Sequence, residues 1–220
     1  MRDYFIPTLS KDMSWRSIHA IVFQVFSLLI FLSVLIGCNG DTGPSEPEAT
    51  AQDKVDQGWE LFEDADYIPA LAAFQSAIDM DATLADAFNG AGWSAGKIPG
   101  CLEDAANFFE RSQIDNEIPI DALGGWLFVN YQLGEWENVI LQAETLMQDQ
   151  SGWRFYHEQT VDFLDVRLVV AMSYFNLGNF DLSLEIIVLY LNESFEVDVS
   201  TQAGRRELNE EIERLRGIYG

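Results

Sequence analysis

Cysteine, histidine and basic residues are scarce in this chain. Its two cysteines, Cys38 and Cys101, exclude a disulfide-dense scaffold and lack the paired spacing of a zinc site. The two histidines, His19 and His157, lie far apart, so no His-x-x-x-His pair is present. No glycine-rich phosphate loop follows a strand-like run, and no convincing strand run occurs at all. Asp79-Met80-Asp81 opens like a calcium loop, but the glycine and bidentate glutamate that such a loop needs do not follow. Carboxylate pairs such as Glu60 and Asp64, or Glu207 and Glu211, are what an acidic helical surface produces by chance. These gaps lead us to expect no metal, no cofactor and no enzymatic activity.

What is abundant is negative charge. Twelve Lys and Arg stand against 36 Asp and Glu, a formal net charge of −24. Such a surface repels phosphate backbones and anionic headgroups, which argues against nucleic acid. It leaves a basic partner, or plain solubility, as its purpose. Hydrophobic residues make up 48% of the chain and aromatics 13%, enough to build a packed core.

From Ala20 to Gly37 the sequence is apolar except for Gln24, Ser27 and Ser33, with basic residues before it and acidic ones after it. That order suits export of the remainder of the chain. The run ends in Leu35-Ile36-Gly37-Cys38, which resembles the lipobox of bacterial lipoproteins. The resemblance implies a signal peptide over 1–37, lipidation of Cys38 and a durable anchor of two or more acyl chains. An uncleaved spanning helix is the alternative, and either tethers the same domain outside the cytoplasm. Met13 offers a second start that gives a leader of more usual length. In a Gram-negative cell, Asn39 after the cysteine favours the outer membrane, facing the periplasm. Residues 38–50 carry the lipidated cysteine and a Gly-, Pro-, Ser- and Glu-rich linker, with a reach of roughly 20 Å. If Cys38 is lipidated, Cys101 has no partner and the fold stands on its core alone; we expect Cys101 to be a passive small residue in a turn.

From residue 51 to 220 helix-period segments alternate with short breaks. Asn130-Tyr131-Gln132-Leu133-Gly134-Glu135-Trp136 and Ser173-Tyr174-Phe175-Asn176-Leu177-Gly178-Asn179-Phe180 each read as a helix end, a left-handed glycine and an aromatic opening the next helix. This pattern resembles the tetratricopeptide repeat, with units near 51–84, 85–119, 120–153 and 164–197. Gly58 and Gly92 take the small position of the first helix of their units, and Ala70, Phe74, Ala77, Ala105 and Phe109 the packing positions of the second. Leu127 and Ala171 replace the small glycine in the later units. Ala82, Glu117, Ser151 and Phe195 replace the proline that closes each unit in the family. The implied fold is all-α: about four hairpins in a right-handed α-solenoid, closed by an amphipathic cap helix over 203–219. Glu210 and Arg214 on that helix have the spacing of an ion pair.

In tetratricopeptide arrays the first helices line a concave groove. Carried over, the groove positions hold Trp59 and Phe62, Trp93 and Gly96, Phe128 and Tyr131, Met172 and Phe175, with Asp86, Asn89, Asp121 and Gln132 as polar neighbours. An open aromatic groove marks a binding site. The resemblance implies an interaction adaptor that holds a protein or peptide segment, with a small-molecule receptor and a structural subunit as rivals. A groove filled by the chain itself, through the last helix or the 150–160 insertion, is the structural alternative. That insertion, Gln150-Ser151-Gly152-Trp153-Arg154-Phe155-Tyr156-His157, is aromatic for a connection. It can extend a helix, fold over the groove or present a contact loop, and the last is our expectation. Oligomeric state is not legible.

Overall fold

A computed structural model describes residues 48–114, 117–149 and 152–219. The signal peptide expected over 1–37, Cys38 and most of the expected linker lie outside these described residues. Among the described residues, no helix is long and apolar enough to cross a membrane.

Helices α1 (Ala51–Glu63) and α2 (Tyr67–Met80) form the first hairpin, α3 (Ala85–Gly96) and α4 (Leu102–Arg111) the second. The third pairs α5 (Ile120–Leu133) with α6 (Trp136–Asp149), and the fourth pairs α7 (Phe163–Asn176) with α8 (Phe180–Ile186). A π-turn over Ile187–Leu191 extends α8, and α9 (Gln202–Tyr219) closes the chain. Successive helices from α1 to α8 pack on one another, α9 packs on α7, and α1, α3, α5 and α7 also pack side by side as an inner layer. That double contact is what makes a stack of hairpins rather than a string of them. The array is a tetratricopeptide-like set of helical hairpins, and its only pairing of extended backbone among the described residues is two isolated bridges, Ile114 with Glu117 and Arg154 with Asp162.

Local sequence explains the ends. Thr50 and Asp53 cap α1 reciprocally, as Asp162 and Asp165 cap α7, each satisfying backbone N–H groups that the helix leaves free. Gly100, Gly134 and Gly178 turn the second, third and fourth hairpins at φ of 86°, 81° and 78°, where a side chain would be strained. The first hairpin puts Ala65 in the same region at φ 61°.

The glycines within helices do different work. A Cβ at Gly58 would lie 2.7 Å from the Phe74 ring, and one at Gly90 would overlap the same ring. Phe109 stands likewise against Gly92, 2.6 Å from its notional Cβ, and against Gly125. Each second-helix phenylalanine is therefore seated between two inner helices, its own unit's and the next one's. Gly58 and Gly92 accommodate the ring of their own second helix, while the next unit contributes a second glycine that the repeat register does not single out. Phe74 and Phe109 are fully buried.

Two cores result. The larger runs through the first three hairpins and includes Trp153, Phe155, Phe163, Val166 and Val170. The smaller joins Leu168, Ala171 and Met172 of α7 to Ile187, Leu208, Ile212 and Leu215. On α9 the expected Glu210–Arg214 pair does not form: Arg214 makes a two-point contact with Glu211, and Glu210 faces Arg206 at 3.7 Å. Glu211 wins because it is buried against Asn192, whose Nδ2 donates to it at 2.8 Å, so its carboxylate is held where Arg214 can reach both oxygens. Cys101, a free thiol, is half-buried at the start of α4.

Candidate functional site

The inner helices bring the sequence-selected aromatics to one layer, and the chain itself covers most of them. Trp59, Phe62, Trp93 and Met172 are buried, and Phe128, Tyr131 and Phe175 are half-buried. The cover comes in two parts. Over the first three units lies the insertion between α6 and α7. Over the fourth lies α9, which packs with Met172 and Phe175 in the smaller core.

The insertion does not present the contact loop that the sequence leads us to expect; it folds over the groove. Burial alternates along it: Trp153 and Phe155 are buried and His157 is half-buried, whereas Arg154 and Tyr156 are exposed. The reason is apolar area: three rings turned inward leave water, and the two chains that tolerate water turn out.

Each inward side chain has its own seat. Trp153 packs where Gly124 leaves room on α5, and its Nε1 donates to Asp121 Oδ1 at 2.6 Å. Phe155 stacks on Trp93 of α3, ring centroids 3.9 Å apart and planes 11° from parallel. It also meets Trp59 and Phe62 of α1 edge-on at 6.1 and 5.9 Å. His157 lies on Trp59, and its Nδ1 is 2.8 Å from Glu63 Oε1. The insertion thus crosses the inner helices in reverse, from α5 to α3 to α1. Offset and edge contacts of this kind are worth about 0.5–1.5 kcal/mol per pair beyond area burial.

The polar neighbours fix the rings from beneath. Trp59 Nε1 donates to Asp86 Oδ2 at 3.1 Å, and Trp93 Nε1 to the Asp121 carbonyl at 3.1 Å. Asp86 Oδ1 accepts from the buried Asn89, whose own Oδ1 has no partner. Glu63, Asp86 and Asp121 put three carboxylates in or beside the groove. Burial pushes the Asp121 carboxyl above its ordinary range, against the opposing pull of the Trp153 indole and of His157. Lys97 pairs with Glu158 at the outer edge, and Arg154 with Asp162 at 3.3 Å.

Between the two covers a cavity of about 410 Å³ remains. Trp93, Phe128 and Gln132 of the inner helices, Val161 of the insertion and Tyr219 of α9 line it. Gly96, a groove position in the sequence pattern, also lines it. Among the described residues no cluster of His, Cys, Asp and Glu could hold a metal ion.

A layer of aromatic first helices inside stacked hairpins is the arrangement of tetratricopeptide-like helical arrays, and solved structures bear out the fold. A single-site mutant of MamA superposes with a TM-score of 0.55 at 17% identity, covering 76% of this chain and 90% of that one. MamA of AMB-1 superposes with a TM-score of 0.54, also at 17% identity, covering 76% and 96%. This likeness is one of fold. No family model matches the chain, and no curated protein does.

Proposed function

We propose that this chain is a lipid-anchored adaptor of the bacterial cell envelope, which holds an extended segment of a partner protein in the groove of α1, α3, α5 and α7. The observation that carries this reading is that the groove already receives a peptide from the chain's own insertion, one ring seated on each of α5, α3 and α1. A surface that seats alternate side chains of one extended segment is built to recognise segments of that kind. The anchor rests on the leader and Cys38, and the basic character of the partner on the acidic groove. A photo-crosslinking residue at Gln132, exposed beside the cavity, should capture a defined protein in the native cell. The same residue at Leu141, exposed on α6, should not. Capture from position 141 alone, or from neither, would remove the groove from consideration. Cys38→Ser should release the protein from the membrane fraction.

Two rivals each have an observation in their favour. The cavity of about 410 Å³ falls within the 300–1,000 Å³ of small-molecule sites, so a sugar or lipid fragment is the alternative ligand. A thermal-shift screen separates this case, since a small ligand at 100 times its Kd stabilises the fold by about 2.7 kcal/mol with no protein partner present. The self-covered groove favours a purely structural subunit. That role predicts no cross-link from Gln132.

A further inference from the structure

The insertion is more than a cover, because its fit has the features of a bound ligand. Its three inward side chains occupy seats on three different helices that are distant in sequence. Among the described residues no backbone hydrogen bond joins residues 152–162 to α1, α3 or α5; the loop's own bonds, Phe155 N–H to the Val161 carbonyl and Val161 N–H to the Glu158 carbonyl, are internal. Side chains alone hold it down, so the attachment depends on sequence. The ion pairs at its edges, Lys97–Glu158 and Arg154–Asp162, are part-exposed, and such pairs contribute little.

We propose that residues 152–158 are an internal stand-in for the partner, which must vacate the groove before a partner segment can enter. The segment that replaces it carries flat side chains at alternate positions and a cationic or imidazole group at the end that reaches α1. This rests on the adaptor reading above and adds both a gate and a ligand chemistry to it. The alternation follows from the seats at Gly124, Trp93 and Trp59. The positive end follows from Glu63 beside the His157 seat, with Asp86 holding the indole beneath it.

The gate has a calculable strength. A tethered segment acts at an effective concentration on the order of 1 mM. If the free segment binds the emptied groove with a Kd of about 10 µM, the groove is closed about 99% of the time. A competing peptide then binds the wild type about 100-fold more weakly than it binds the emptied groove.

The test is a fluorescein-labelled nonapeptide with the sequence of residues 152–160, titrated into the full chain. The emptied variant carries Trp153→Ser, Phe155→Ser and His157→Ser; the control carries Arg154→Ser and Tyr156→Ser at the outward positions. We expect binding to the emptied variant at least 30-fold tighter than to wild type, and control affinity equal to wild type. A peptide of the same composition with its aromatics made contiguous should not bind. If the triple variant loses helical circular dichroism, His157→Ser alone should still raise peptide affinity several-fold, since that residue lies at the end of the segment and is less buried than Trp153 and Phe155. Equal affinity for wild type and emptied chain would show the groove already open. No binding to a helical emptied chain would show the insertion to be fixed structure. Concentration-dependent dimers of the wild type would make a second copy the occupant. Any of these three overturns the proposal, and cross-linking from Gln132 still decides the adaptor reading by itself.

Discussion

His157 lies flat against Trp59, with ring centroids 3.7 Å apart and planes 2° from parallel. The contact joins the insertion to the first helix across 98 positions of sequence, and Glu63 fixes the imidazole from the side. His157→Ala should therefore cost about 1 kcal/mol of stability. It should also shift indole emission to the red, because Trp59 gains water. Unchanged emission would mean that the ring does not shield Trp59.

Phe155 is fully buried between Trp93, Trp59 and Phe62. Truncating such a residue costs about 3–5 kcal/mol when the cavity persists. Here the loop can lift away instead. Phe155→Ala should then speed proteolysis at Arg154 while the far-ultraviolet helical signal stays within a few per cent of wild type. Global unfolding in place of local cleavage would show the segment to be integral to the core.

Gly90 is the sharper test of the repeat seam. A methyl group there overlaps the Phe74 ring, and overpacking of this sort costs roughly 1–3 kcal/mol. The loss should shrink when Gly90→Ala is combined with Phe74→Leu. Additive losses in a double-mutant cycle would contradict the contact. Gly152→Ala, where a Cβ meets nothing within 4 Å, is the comparison.

Ala65 holds the left-handed position that glycine fills in the other three hairpins. Ala65→Gly should stabilise the protein by roughly 1 kcal/mol, the strain removed less the chain entropy added. Gly134→Ala should destabilise it by a similar amount. Chemical denaturation of both reads the pair in opposite directions.

Two carboxylates give opposite pH dependences. Burial raises Asp121, so its folded form holds the proton more firmly than the unfolded chain does. The stability this contributes is full below about pH 4 and is lost as pH rises through the raised value. Asp121→Asn removes that loss, so its stability relative to wild type should climb as pH rises from about 4 through the raised value. Hydrogen bonds from Arg214, then Asn192, lower Glu211. Its contribution is present above about pH 4.5 and is lost as pH falls through the lowered value. Glu211→Gln should flatten the acid limb of the stability curve. Reversed slopes would contradict both assignments.

The hairpins were legible because a glycine suited to a left-handed turn, followed by an aromatic, is a local signal that tertiary packing had no reason to override. The destination of the insertion was not, because eight residues have no helical period and their partners lie on α1, α3 and α5. A signal was there: Trp153, Phe155 and His157 alternate with Arg154 and Tyr156, the period of a segment with one face inward. Gly90 and Gly125 escaped the repeat register because they serve the preceding unit's phenylalanine. The Glu210–Arg214 spacing was correct for a helix, but spacing cannot say which carboxylate Asn192 will hold in place.

A ring shared by two neighbouring units means that neither can loosen without disturbing the other. Phe74 couples the first hairpin to the second, and Phe109 the second to the third, so slow amide exchange should spread across these three as one block. Among the described residues beyond Leu127 no glycine seats such a ring, and α7 divides its faces between two cores. The last hairpin and α9 should exchange as a separate, weaker block, with the boundary running lengthwise through a single helix.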